Sequence, residues 1–159
     1  MTNEIYILEG HISVEAALLY GSRDIRLCYI DSSKIKKRDR KTLSLLKLLK
    51  QKNIPVEICE RAIIDSFLEE NSENGSSSHG GIAAVCGKRR FLELEELLEI
   101  AEKDGGYIVM LDGVEDPFNL GYTFRNLYAA GCSGVILPKR NPMVSAGVCA
   151  RSSAGASEM

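Results

Sequence analysis

The chain has 159 residues, 45% apolar and 26% charged, with 20 Lys and Arg against 22 Asp and Glu. Those values fit a folded chain of one ordinary domain's length, roughly 100–200 residues, and exclude a disordered chain, a collagen, a coiled coil and a disulfide scaffold. No apolar run approaches the ~18–20 residues of a membrane span, and the opening MTNEIYILEG lacks the basic-then-apolar order of a secretory signal, so a cytoplasmic protein without a membrane partner is expected.

Helix and strand signals alternate along the first half. Residues 13–20 (SVEAALLY) predict a short helix with Ser13 as N-cap and Gly21 as stop. Residues 25–30 (IRLCYI) predict a strand. Residues 34–41 follow, and six of these eight are basic: Lys34, Lys36, Lys37, Arg38, Arg40 and Lys41. Such a cluster suits a polyanion such as nucleic acid, and it also fits a solvated loop and helix start. Residues 42–51 predict a helix whose Leu45, Leu48 and Leu49 follow the i, i+3, i+4 stripe. A strand over 54–59, a helix over 61–69 packed through Ile64, Phe67 and Leu68, and a strand over 82–86 complete an α/β sandwich of about 85 residues. The stretch 71–81 (NSENGSSSHGG) has no apolar residue and predicts a mobile surface loop.

The second half begins with a helix over 91–103, carrying Phe91, Leu94, Leu98 and Ala101 on one face. Residues 107–111 (YIVML) are apolar throughout, as in a strand buried on both faces. The acidic loop 112–118, a helix over about 119–130 and a strand over 134–137 then complete a βαβ unit, with a final helix from near 145. Charge divides with the halves. Residues 1–90 hold 15 basic and 12 acidic side chains, a balance of +3, and residues 91–159 hold 5 and 10, a balance of −5. The five cysteines, none closer than 17 residues to another, read as small buried apolar residues, and two histidines are too few for a histidine-rich metal site. No metal is expected.

The 112–125 segment, DGVEDPFNLGYTFR, leaves a strand at its carboxyl end, where open α/β sheets bind ligands. The helix behind it presents free N–H groups to anions. Asn119 is a reasonable N-cap. Gly121 and Arg125, four apart, lie one turn from each other, so the absent side chain leaves room for a phosphate or ribose beneath the Arg125 fork. Each feature also has an ordinary reading: Asn caps helices generally, a helical Gly permits close packing, and a surface Arg is usually solvated.

The run DGVEDPFNLGYTFRNLYAAGCSGVIL resembles the first signature motif of the SpoU/TrmH family of RNA ribose 2′-O-methyltransferases. The matching positions are Leu111, Asp112, Val114, Asp116, Pro117, Asn119, Gly121 and Arg125, then Ala129-Ala130-Gly131 and Gly134-Val135-Ile136. Arg151-Ser152-Ser153-Ala154-Gly155-Ala156 resembles a further family segment, and GHISVEAAL and HGGIAAV resemble the start and end of its RNA-binding domain.

The resemblance implies methyl transfer from S-adenosylmethionine to a ribose 2′-hydroxyl of tRNA or rRNA, by enzymes that usually work as homodimers. It also implies a ribosomal-protein-like RNA-binding domain over residues 1–88, a connector helix over 89–104, and over 105–159 the first part of a SPOUT domain with its knot region absent. Arg125 and Asn119 would serve the reacting ribose, and Gly121 and the basic cluster would contact RNA. Leu127, Tyr122 and Phe124 are bulkier than the family's usual residues at their positions. The family's N-E-x-x-G and S-L-N-V motifs do not occur in the chain, so no donor-binding residue carries over. Two outcomes follow as expectations: a portion of a methyltransferase inactive by itself, or a non-catalytic RNA-binding protein derived from such an enzyme. An unrelated nucleotide-binding α/β module is the third.

Overall fold

A computed structural model describes residues 5–71, 79–138 and 146–159. The first half builds a four-stranded sheet. Its elements are β1 (Tyr6–Glu9), α1 (His11–Tyr20), β2 (Ile25–Asp31), α2 (Ser32–Lys36), α3 (Arg40–Gln51), β3 (Val56–Cys59), α4 (Arg61–Asn71) and β4 (Ile82–Cys86). The strand order is β1-β4-β2-β3. β4 runs antiparallel to both neighbours, pairing Tyr6 with Cys86 and Ile30 with Ile82, and β2 runs parallel to β3.

Alternation along the strands fixes the two faces. On one face Cys28, Ile30, Ile82, Ala84 and Cys86 pack with Val14 and Leu18 of α1 and Leu45 and Leu49 of α3. On the other, Ala83 and Tyr29 meet Ile64, Phe67 and Leu68 of α4, with the Tyr29 and Phe67 ring centroids 4.8 Å apart. Each fully buried leucine or isoleucine here contributes on the order of 1.5–3 kcal/mol. Of the expected α3 stripe, Leu45 and Leu49 are fully buried and Leu48 packs at the margin. The sequence signals carry no strand before α1. Four apolar residues between charges, without period-2 alternation, are a weak signal, and β1 forms through its pairing with β4, some 80 positions away.

The second half contains α5 (Leu94–Asp104), β5 (Tyr107–Met110), α6 (Pro117–Ala129), β6 (Cys132–Ile136) and α7 (Ala146–Ser152), closing with a 3₁₀ turn over Ala156–Glu158. β5 and β6 are parallel, with α6 between them in sequence. Two expectations need correction. β5 is not buried on both faces: Tyr107 and Met110 are exposed, because β6 is its only strand partner among the described residues. The stripe of α5 does not pack as read either. Phe91, Leu94 and Leu98 are exposed and Ala101 is buried, while Leu97 meets the backbone of β6 at Gly134.

The closing segment joins the two halves. α7 lies against β1 and against α6, and Ala150 sits inside the first core. Gly155, with φ of 83°, brings the chain directly onto α1, since a Cβ there would stand 3.2 Å from the Ile12 carbonyl oxygen. Residues 72–78 of the expected polar loop, and Ser145 at the expected start of the last helix, lie outside the described residues.

Candidate functional site

The motif helix α6 begins one turn earlier than its apolar pattern suggests. Asp116 is its N-cap, with Oδ1 accepting from the Asn119 amide at 2.8 Å, and Pro117 occupies the first helical position. Asn119 is therefore not the cap, and its exposed side chain is left for other contacts. Arg125 is exposed two turns further on. Six residues separate the two, placing them about 120° apart around the helix, so they flank one surface without touching.

Gly121 has a different place from the one expected. It is buried, and a Cβ there would stand 2.8 Å from the Cys149 carbonyl oxygen and 2.9 Å from the Ser152 Cβ. The space beside Gly121 is filled by α7. Four residues correspond to about 40° around a helix, so Arg125 emerges at the edge of this packed seam while Gly121 faces into it.

The basic cluster folds as a helix, a turn and a second helix start. Asp31, the last residue of β2, caps α2 by accepting from the Ser33 amide at 2.8 Å. Burial alone would raise its pKa, but the Ser33 hydrogen bonds, with Arg61 and Lys34 nearby, hold the carboxyl below its ordinary value. Arg38 takes a left-handed φ of 54° to reverse the chain. Asp39 then caps α3, bonding both the amide and the hydroxyl of Thr42, and these bonds hold its pKa low. Lys36, Lys37, Arg38, Arg40 and Lys41 are exposed and Lys34 is half-buried. Every cation of the cluster thus sits on a short, doubly capped stretch.

Two histidines pin the neighbouring backbone. His79 is fully buried, its Nε2 lies 2.8 Å from Asp65 Oδ1, and its Nδ1 accepts from the Gly81 amide at 3.1 Å. That acceptor role puts the ring proton on Nε2, facing Asp65. The pair fixes the turn into β4. The sequence reading missed this role, although a histidine beside two glycines ahead of an apolar strand carried the hint. His11 Nε2 lies 3.2 Å from the Lys41 carbonyl oxygen, joining the start of α1 to the start of α3.

A seam crosses from this surface to α6. Glu9, beside His11 at the end of β1, accepts from Arg151 Nη1 at 2.8 Å. Ser152, the next residue, places its Oγ 3.3 Å from the Pro117 carbonyl oxygen at the start of α6. Farther along, Arg23 and Ser22 bond the buried Glu158 carboxylate. A cavity of about 440 Å³ lies between the two halves, lined by Phe91, Leu97, Phe124 and Leu127 with Arg89, Arg90 and Ser157. Among the described residues no group of three His, Cys, Asp or Glu side chains could hold a metal, and no helix is long and apolar enough to cross a membrane.

The chain resembles known proteins over nearly its whole length. Residues 7–92 match the family described as RNA 2′-O ribose methyltransferase substrate binding. The 23S rRNA (guanosine-2′-O-)-methyltransferase RlmB of Shewanella oneidensis is 32% identical over 156 residues, covering 96% of this chain and 58% of that protein. The structure of an RNA 2′-O ribose methyltransferase matches with a TM-score of 0.68 at 20% identity, over 99% of this chain and 54% of the other. The SpoU methyltransferase AviRb from Streptomyces viridochromogenes, in complex with AdoMet, matches with a TM-score of 0.65 at 19% identity, over 97% and 52%. These likenesses share the α/β fold, and the chain spans little more than half the length of the proteins it matches.

Proposed function

Because the chain belongs to the SpoU/TrmH family of RNA ribose 2′-O-methyltransferases, we propose that it grips a tRNA or rRNA substrate through residues 34–41 and presents Arg125 and Asn119 to the ribose that is methylated. The observation that carries this reading is the seam. Contacts of 3.2 Å from His11 to Lys41, 2.8 Å from Arg151 to Glu9 and 3.3 Å from Ser152 to Pro117, joined by the backbone of residues 9–11 and 151–152, link the basic turn to the motif helix.

The chemistry open to Arg125 follows from its side chain. A guanidinium keeps its proton in a protein, so it does not serve as the base. Its planar fork suits a phosphate, and its charge stabilises an oxyanion developing on the 2′-oxygen. Arg125 is exposed and has no ion-pair partner among the described residues, so it is open to an incoming phosphate.

S-adenosylmethionine, the family's methyl donor, supplies the methyl group when bound. The cavity between the halves does not fit it: the charged side chains in its lining are Arg89 and Arg90, and no Asp or Glu side chain lines it to face a cationic sulfonium. We propose that these 159 residues bind RNA without transferring a methyl group, and that a complete enzyme acts as a cytoplasmic homodimer.

Two titrations test this. Anisotropy of a labelled rRNA hairpin should give salt-sensitive binding, with the slope of log affinity against log salt reduced by about one for each phosphate-contacting cation reversed in Lys36, Lys37 and Arg40. An unchanged isotherm after all three reversals overturns the basic-turn assignment. Calorimetry with S-adenosylmethionine should give no specific heat, and micromolar affinity overturns the donor-free reading.

A further inference from the structure

The family resemblance assigns no role to Glu158, yet its carboxylate is the most enclosed charge among the described residues, with no exposed surface. Arg23, whose side chain is 1% exposed, meets it with both arms of its fork: Nε to Oε2 at 2.8 Å and Nη2 to Oε1 at 3.1 Å. Ser22 Oγ donates to Oε2 at 2.7 Å, and Arg89 Nη1 stands 3.8 Å away. The Arg23 guanidinium carbon also lies over the Tyr6 ring, 5.7 Å from its centroid. Arg23 and Ser22 belong to the first half and Arg89 follows directly after β4, while Glu158 belongs to the closing segment.

A buried pair of this kind adds little net stability over apolar residues of the same size, but it permits one register, because removing either partner strands a charge. A second pair of opposite polarity, Glu9 with Arg151, crosses the same boundary. α7 carries Arg151 of the second pair, and Gly121 of α6 packs against it at backbone contact. Whatever fixes the closing segment on the first sheet therefore fixes α6, and with it Arg125.

We propose that Glu158 is a positioning residue. By clamping the closing segment onto Arg23 it holds Arg125 at a set place relative to the Lys34–Lys41 turn, so that one RNA engages both together. The inference rests on the RNA reading above. Two contacts on one rigid body reinforce each other through effective concentration, and a loosened hinge removes that gain without removing either contact.

The test is a double-mutant cycle on the full chain, read as anisotropy of a short fluorescein-labelled RNA hairpin, with circular dichroism to verify folding. Arg125→Ala should weaken binding roughly fivefold in the parent, the low end of ordinary coupling between sites. It should have no effect in a Glu158→Gln background, which itself binds as weakly as Arg125→Ala. A clamp that served only general stability would leave the Arg125→Ala loss the same in both backgrounds, and that result overturns the proposal. If Arg125→Ala is silent in the parent, the RNA role of Arg125 fails first and the clamp falls with it. Should Glu158→Gln not fold, Ser22→Ala takes its place in the cycle. It removes only the 2.7 Å donor and should give a smaller loss of coupling in the same direction; full retention of the Arg125→Ala loss overturns the proposal there too.

Discussion

Replacing Gly121 with alanine sets two effects of known sign against each other. In a helix interior, Ala over Gly is worth about 1 kcal/mol of propensity, so a Gly121→Ala chain with open space beside α6 would be stabilised by that amount. The structure puts backbone there instead. The new methyl would stand 2.8 Å from the Cys149 carbonyl oxygen and 2.9 Å from the Ser152 Cβ, closer than carbon approaches either atom, and a backbone carbonyl does not swing aside as a side-chain tip does. Overpacking of this kind costs about 1–3 kcal/mol. The balance is a net loss of roughly 1 kcal/mol, centred on the α6–α7 contact. Urea unfolding followed by circular dichroism should show a lower midpoint with an unchanged slope. A raised midpoint together with weakened RNA binding would refute the packing argument and restore Gly121 as ligand space.

Asp39→Ala should lower the melting temperature, because the Thr42 amide and hydroxyl lose their acceptor at the start of α3. Its pH signature has a fixed sign. The folded pKa of Asp39 is depressed, so its contribution is fully present above the unfolded carboxylate value near 3.9 and is lost as pH falls below it. Parent and variant should therefore converge in stability on acidification, and a gap that widens in acid would refute the cap. For the cysteines, burial pushes the thiols of Cys28 and Cys86 up to about 12 and that of Cys149 up to about 11. Alkylation at pH 8 should be roughly a thousandfold slower at Cys28 and Cys86 than at an unperturbed thiol, with full reaction in urea. Prompt labelling of Cys28 in the folded chain would contradict the core packing.

Local patterns in the sequence reach as far as the features that local patterns determine. The stop at Gly21, the buried faces of α3 and α4, and the strand over Ile82–Cys86 follow from spacing and turn residues within a few positions. The cap of α6 was equally legible, since Asp116 followed by Pro117 is a helix-start signature in its own right. What escaped depends on distant partners. β1 needs β4 to be a strand at all. Gly121 reads as a vacancy until α7 arrives from 28 positions away. Glu158 finds Arg23 across 135 positions, and the trace it leaves in the sequence is a carboxylate among small residues.

RNA contact at the two ends of the seam is tested most directly by ultraviolet cross-linking of the chain to an rRNA hairpin, with the attached peptides identified by mass spectrometry. Cross-links are expected in two peptides, one spanning the Lys34–Lys41 turn and one spanning Phe118–Arg125 of α6. Cross-links confined to α4 or to the exposed stripe of α5, with both predicted peptides clean, would contradict it.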